Sequence, residues 1–219
     1  FGFLIGFLIS TAQASELPAT VDLQIESATP VLRLYGKDAF DYLGSENANG
    51  IAFGDVNGDG LDDMIVGAYA ADREAASNPS KVELNNCGEV YVIYCRRTSM
   101  GQRLSLRNTN TYLSTTRIRG ATAEDSAGFS VASGDINADG YDDILIGALF
   151  ADRKDLVPPE YDSGEAYVIY GSPSLPGRVI NLSDSAVLAN TETRILGRKG
   201  NIDPTGFFPG DLTGWSVAS

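Results

Sequence analysis

Short apolar runs alternate along this chain with clusters of Gly, Asp, Asn and Pro. The runs are rich in Val, Ile and Tyr, and none sustains a helical period, so the pattern predicts strands joined by tight turns. In the second half the predicted strands are Phe129–Ser133, Asp143–Ala148, Glu165–Tyr170 and Thr193–Leu196. Met64–Val66 and Ile144–Ile146 are apolar at every position, which requires cover on both faces of each strand. Stacked four-stranded antiparallel sheets supply such cover, each sheet lying between its neighbours as a blade of a β-propeller. The fold class expected is therefore all-β.

The pattern repeats at about 80 residues. Gly54-Asp55-Val56-Asn57-Gly58-Asp59-Gly60-Leu61-Asp62-Asp63 returns as Gly134-Asp135-Ile136-Asn137-Ala138-Asp139-Gly140-Tyr141-Asp142-Asp143. In the same register Gly88–Tyr94 matches Gly164–Tyr170, and Leu34-Tyr35-Gly36 matches Ile118-Arg119-Gly120 and Ile195-Leu196-Gly197. Gly128–Ser133 returns as Gly214–Ser219. Fixed-period similarity marks a repeat architecture. It predicts one blade at about 48–119, a second at about 128–196 and the start of a third at about 213–219, with a third acidic loop expected after Ser219. Val31–Leu34 matches the last strand of a unit but precedes the first complete one. It is either a strand that closes the ring by joining the final blade or the ordinary first strand of an open sheet.

Each acidic loop opens straight into one of the apolar strands. Asp55, Asn57, Asp59 and Asp63 place side-chain oxygens at positions 1, 3, 5 and 9, and the carbonyl of Leu61 adds one at position 7. Asp135, Asn137, Asp139, the carbonyl of Tyr141 and Asp143 repeat the set. Flexible sites of several oxygens suit calcium, whereas magnesium holds its water and prefers strict octahedral geometry. An EF-hand would need Glu at position 12, where Val66 and Ile146 stand. Asp62 and Asp142, at position 8, are expected to point to solvent.

Charge and composition narrow the function. The formal net charge of −13 argues against nucleic acid as a partner, since phosphate needs a basic surface. The chain has no histidine, which removes Ser-His-Asp and Cys-His catalysis and His-ligated zinc from within it. Cys87 and Cys95 flank a strand-like run, and eight extended steps of about 3.3 Å each span roughly 26 Å. A disulfide needs Cα atoms within about 7 Å, so the two do not bond to each other. Either both are free or they pair outside this chain.

The first residues, Phe1–Ile9, are apolar and lead through Ser10 and Thr11 to Ala12-Gln13-Ala14. That pattern predicts the remnant of a secretory signal peptide at 1–14, cut before Ser15, with its charged start missing. Residues 15–30 form a linker in this reading, and 31–219 the propeller fragment.

Together, Ala127-Gly128-Phe129-Ser130-Val131-Ala132, the Asp135–Asp143 loop, Ile146-Gly147-Ala148 and Gly164–Tyr170 closely resemble the FG-GAP repeat of integrin alpha-subunit β-propellers. The resemblance runs from about Val31 to the last residue. Ala48-Asn49 replaces the family's Gly-Phe in the first unit, and Tyr69 and Leu149 stand where the family has proline. The units are also longer than usual, partly through Ala70–Asn86 and Ala151–Ser163. What the resemblance implies is a secreted or cell-surface, integrin-alpha-like module that is not an enzyme and acts in adhesion or in binding an extracellular protein or surface ligand. It implies calcium loops on one face and ligand contacts on the other, built from Ala70–Asn86, Ala151–Ser163 and Ala121–Ala127. Tyr161, Arg73, Arg153 and Lys154 are candidate contacts there; no Arg-Gly-Asp sequence occurs. Membrane attachment would require a segment beyond Ser219. The alternative is the non-catalytic propeller of a larger secreted hydrolase, by resemblance to glycosylphosphatidylinositol-specific phospholipase D.

Overall fold

The computed structural model describes residues 32–44, 49–75, 78–96, 103–107, 115–152, 162–184, 192–197, 213–214 and 216–218. The leader and linker expected at residues 1–30 lie outside the described residues, as do Tyr161, Arg153 and Lys154. Among the described residues every regular element is a strand, and no helix is long and apolar enough to cross a membrane.

The first blade contains β2 (Ile51–Gly54), β3 (Asp63–Ala68), β6 (Glu89–Ile93) and β8 (Thr115–Arg119), paired antiparallel in chain order. The second repeats it with β9 (Ala127–Gly134), β10 (Asp143–Ala148), β11 (Glu165–Ile169) and β13 (Glu192–Leu196). The four strands expected of the second unit are thus found, in the expected order.

Three further elements lie in the connections. The hairpin β4 (Arg73–Ala75) and β5 (Asn78–Leu84) fills the long link between β3 and β6. Two short strands, β7 (Arg103–Ser105) and β12 (Val179–Asn181), precede the last strand of each blade. β12 runs parallel to β8, extending the first blade's sheet, with Ile180 opposite Ile118. β7 runs parallel to β1 (Arg33–Tyr35), with Leu104 opposite Leu34. The two clasps match bond for bond: Leu106 N–H donates to the Tyr35 carbonyl at 2.9 Å, and Leu182 N–H to the Arg119 carbonyl at 2.9 Å. β1 therefore meets the first blade as β8, a fourth strand, meets the second.

Burial follows from this stacking. Along β6 the side chains alternate between two cores: Val90 and Val92 join Ile144, Ile146 and Tyr167 of the second blade, whereas Tyr91 and Ile93 join Leu104 and Leu106 near β1. The central strands are covered on both faces in the first blade, as their apolar runs demand. Ile118, beside β12 in the sheet, is 1% exposed, while Ile195, at the same position in β13, is 50% exposed.

Glycine makes the joint between blades. A Cβ on Gly67 would meet the Gly128 carbonyl oxygen at 2.0 Å, and Gly128 itself has φ of +83°, a conformation that favours glycine. The same contact recurs between Gly147 and Gly214, at 2.1 Å.

An ion pair on a buried glutamate ties the third and fourth strands of each blade; its arginine is largely buried in the first blade and exposed in the second. Glu89 and Glu165 are buried; each accepts a hydrogen bond from the Tyr two residues on, Tyr91 or Tyr167. Arg117 and Arg194 then close on the carboxylates from the neighbouring strand. Burial first, and the adjacent Glu second, push both phenols well above their usual range. Both cysteines are free: Cys87 is buried, its thiol pushed up to about 11 mainly by burial, and Cys95 is half-buried.

Candidate metal centre

Asp55–Asp63 and Asp135–Asp143 each join the first strand of a blade to the second, so both acidic loops lie at one end of the stacked sheets. Their internal bonding is the same. Asp55 Oδ1 accepts from Asp59 N–H at 2.9 Å and its Oδ2 from Gly60 N–H at 2.8 Å. Asp135 does likewise with Asp139 and Gly140, both at 3.0 Å. Asn57 and Asn137 Oδ1 each accept from the amide two residues on at 2.9 Å. Asp59 and Asp139 Oδ1 accept from Leu61 and Tyr141 N–H at 3.0 Å. These Asx turns fold the backbone so that the oxygens at positions 1, 3 and 5 share the inside of one tight loop.

Position 9 is where burial concentrates. Asp63 and Asp143 are both 0% exposed, at the start of the second strand. Asp143 accepts from Ile136 N–H at 3.1 Å and Gly171 N–H at 2.9 Å. Asp63 Oδ1 accepts from Cys95 N–H at 3.0 Å, but its Oδ2 is buried with no hydrogen bond of ordinary geometry. Burial pushes this carboxyl up to about 7; the Cys95 amide opposes the shift, the charges of Asp59 and Asp55 add to it, and the Val56 amide opposes it least. A buried carboxylate oxygen with no hydrogen bond of ordinary geometry, in the field of two more carboxylates, is a local cost that a cation would remove.

Among the described residues no three His, Cys, Asp or Glu side chains are gathered closely enough to grip a metal as they stand. The loop carboxylates are turned onto their own amides. The donor set nevertheless fits a hard cation: three carboxylates, one amide oxygen and one carbonyl per loop, all oxygen, on a short flexible turn. Asp55, Asn57, Asp59, the Leu61 carbonyl and Asp63 would hold one ion, and Asp135, Asn137, Asp139, the Tyr141 carbonyl and Asp143 another. Such an ion would supply charge compensation and a rigid turn.

One expectation needs correction. Asp62 is exposed, as its position predicts, but Asp142 is not turned to solvent. Its Oδ2 accepts from Asp55 N–H of the first loop at 2.8 Å. The signal missed is a contact between blades, invisible to spacing within one loop.

The opposite end of the sheets carries a cleft of about 350 Å³ between the blades, lined by Tyr69, Asn86, Glu124, Ser126, Phe150 and Asp162. Tyr69, at the place of the family's proline, stacks on Tyr42 at 5.4 Å and meets Phe129 edge-on at 5.4 Å. Asn86 Nδ2 donates to Glu124 Oε2 at 3.0 Å across the cleft. Arg73, a candidate contact by sequence, pairs with Glu83 at 3.4 Å and donates to Ser183 Oγ at 3.3 Å.

Comparison with known proteins agrees with the internal repeat. The FG-GAP repeat matches residues 47–93 and 127–169. Integrin alpha-8 of Mus musculus is 32% identical over 136 residues, covering 59% of this chain and 11% of that protein. Integrin alpha-8 of Homo sapiens is 38% identical over 106 residues, covering 47% and 8%. Integrin alpha-8 of Gallus gallus is 37% identical over 108 residues, covering 48% and 9%. The chain thus spans about a tenth of the length of these relatives or less.

Proposed function

Taking as premise that this chain carries two FG-GAP repeats in a β-propeller fragment, we propose that it is an extracellular calcium-binding module, similar to part of an integrin alpha propeller, that binds a protein ligand in adhesion. The observation that carries the reading is Asp63: a fully buried carboxylate with one oxygen lacking a hydrogen bond of ordinary geometry, in a loop whose other oxygens stand at calcium spacing. Calcium binds the folded loop and not the unfolded chain, so it stabilises the blades by mass action. The module's calcium loops act as clamps on the scaffold. Its ligand face is the other end, where the cleft offers aromatic walls from Tyr69 and Phe150 beside the carboxylates of Glu124 and Asp162.

Two measurements test this. Calcium should raise the thermal midpoint of the chain, and Asp59→Ala with Asp139→Ala should abolish the rise; no response in the unmutated chain removes the metal from the reading. Cell attachment to the immobilised chain in calcium should fall with Phe150→Ala and Glu124→Ala, at unchanged thermal midpoint. Attachment indifferent to both substitutions would remove the cleft from the ligand face.

A further inference from the structure

The first acidic loop is roofed by the second. Asp142 Oδ2 accepts from Asp55 N–H at 2.8 Å, and Asp142 N–H donates back to the Asp55 carbonyl at 3.1 Å. The Tyr141 ring lies over Gly58, where a Cβ would meet its Cε1 at 2.4 Å. Gly171, whose N–H holds Asp143, is wedged against the Asp142 and Val56 carbonyls. Burial records the same asymmetry: Val56 is 0% exposed, whereas Ile136, its counterpart in the second loop, is 52% exposed.

The residues of the roof are themselves parts of the second metal set. Asp142 lies between Tyr141, whose carbonyl is a candidate ligand, and Asp143, whose carboxylate is another. An ion held by the second loop fixes both neighbours of Asp142, and Asp142 fixes the backbone of Asp55, the first ligand of the other loop. We propose that Asp142 is a positioning residue for the first metal site, so that cation binding at one loop raises the affinity of the other. The proposal rests on the reading that both loops bind calcium. It also gives the doubled aspartate at positions 8 and 9 two separate duties: position 9 faces its own ion, and position 8 reaches back to the preceding loop. Coupling through such a strut is reciprocal by linkage.

Calcium titration by calorimetry tests it, on the chain with both loops intact and on the chain carrying Asp139→Ala, which leaves only the first loop competent. In the second background Asp142→Ala should weaken calcium binding about tenfold, the loss expected for one hydrogen bond to a charged group. Asp142→Asn keeps the acceptor oxygen and should retain most of the affinity. Asp62→Ala removes the same charge at the equivalent but exposed position and should change it little. With both loops intact the unmutated chain should bind two ions with positive cooperativity, which Asp142→Ala abolishes. Equal effects of Asp142→Ala, Asp142→Asn and Asp62→Ala would reduce Asp142 to a diffuse charge and overturn the proposal, as would unchanged first-loop affinity in Asp142→Ala. Absence of any calcium binding would instead overturn the reading beneath it. Circular dichroism of each variant establishes that the comparison is between folded chains.

Discussion

Arg117 closes on Glu89 from the adjacent strand, its Nη2 donating to Oε1 at 2.6 Å and Oε2 at 2.8 Å and its Nε to Oε2 at 3.2 Å. Glu89 has no exposed side-chain surface and Arg117 only 14%. The guanidinium also lies 5.8 Å from the centre of the Tyr91 ring. Desolvating two charges is costly, and here the geometry offsets the cost only while both partners are present.

Arg117→Met should therefore be destabilising, but by less than about 3–5 kcal/mol, the usual penalty when one member of a buried pair is left alone, because Arg119 Nε still lies 3.6 Å from Glu89 Oε1. Adding Glu89→Gln to that variant should recover part of the loss, because the buried carboxylate, by then paired only with the more distant Arg119, is gone. Urea midpoints of the two single variants and the double variant read the coupling. Additive effects would mean that the pair acts as two separate surface charges.

The joint between blades makes a sharper demand. Gly67→Ala places a methyl group 2.0 Å from the Gly128 carbonyl oxygen, so one strand must shift. The expected loss is at least about 2–3 kcal/mol, in the upper range for overpacking. Gly60→Ala is the comparison, because Gly60 has φ of +81° but no atom within 4 Å of the added methyl. It should cost only about 1 kcal/mol of backbone strain. Similar losses at both sites would deny the close approach.

Much of this architecture was legible in the chain. The Val, Ile and Tyr runs marked the blade strands because strands buried on both faces have no polar alternation to obscure them, as in Ile144-Leu145-Ile146. The loops were legible because Asx turns and oxygen spacing are local. What escaped was non-local or short. Asp142 bonds a residue 87 positions away. β7 and β12, at three residues each, are too short to show a period. The arginine partners Arg117 and Arg194 of Glu89 and Glu165 lie 28 and 29 positions on, set by strand pairing.

The two loops differ at position 4, and the difference is measurable. Ala138 has φ of +60°, where Gly58 in the first loop has φ of +75°. Ala138→Gly should stabilise the chain by roughly 0.5–1 kcal/mol, since relief of a left-handed alanine outweighs the added entropy of the unfolded chain. Gly58→Ala should do the reverse and more, because the new methyl meets Tyr141 Cε1 at 2.4 Å. Thermal midpoints of the two exchanges compare the sites directly. A fall in midpoint for Ala138→Gly would mean that its backbone is not strained.

Asp41 gives the chain a pH dependence of defined sign. It is 8% exposed, and burial pushes its carboxyl up from 3.8 to about 6. The Asp38 N–H, donating to Asp41 Oδ2 at 3.2 Å, opposes the shift, as does the Lys37 charge, while the charge of Asp38 adds to it. The folded state therefore binds this proton more tightly than the unfolded state. Between about pH 4 and 6 the folded chain holds more proton, so the group's contribution to stability falls as pH rises through that window. Below it the contribution is fully present; above it, the buried charge is a standing cost. Asp41→Asn keeps an oxygen for the Asp38 amide and cannot ionise. At about pH 7.5 it should be more stable than the unmutated chain by on the order of 2 kcal/mol, since each tenfold difference in proton affinity between the folded and unfolded states is worth about 1.4 kcal/mol and partial solvent access reduces the total. At about pH 4 the two should converge. Other carboxylates titrate in the same range, so the difference between the two urea curves is the quantity to follow. A difference that stays constant from about pH 4 to 7.5 would mean that Asp41 titrates as it does in the unfolded chain.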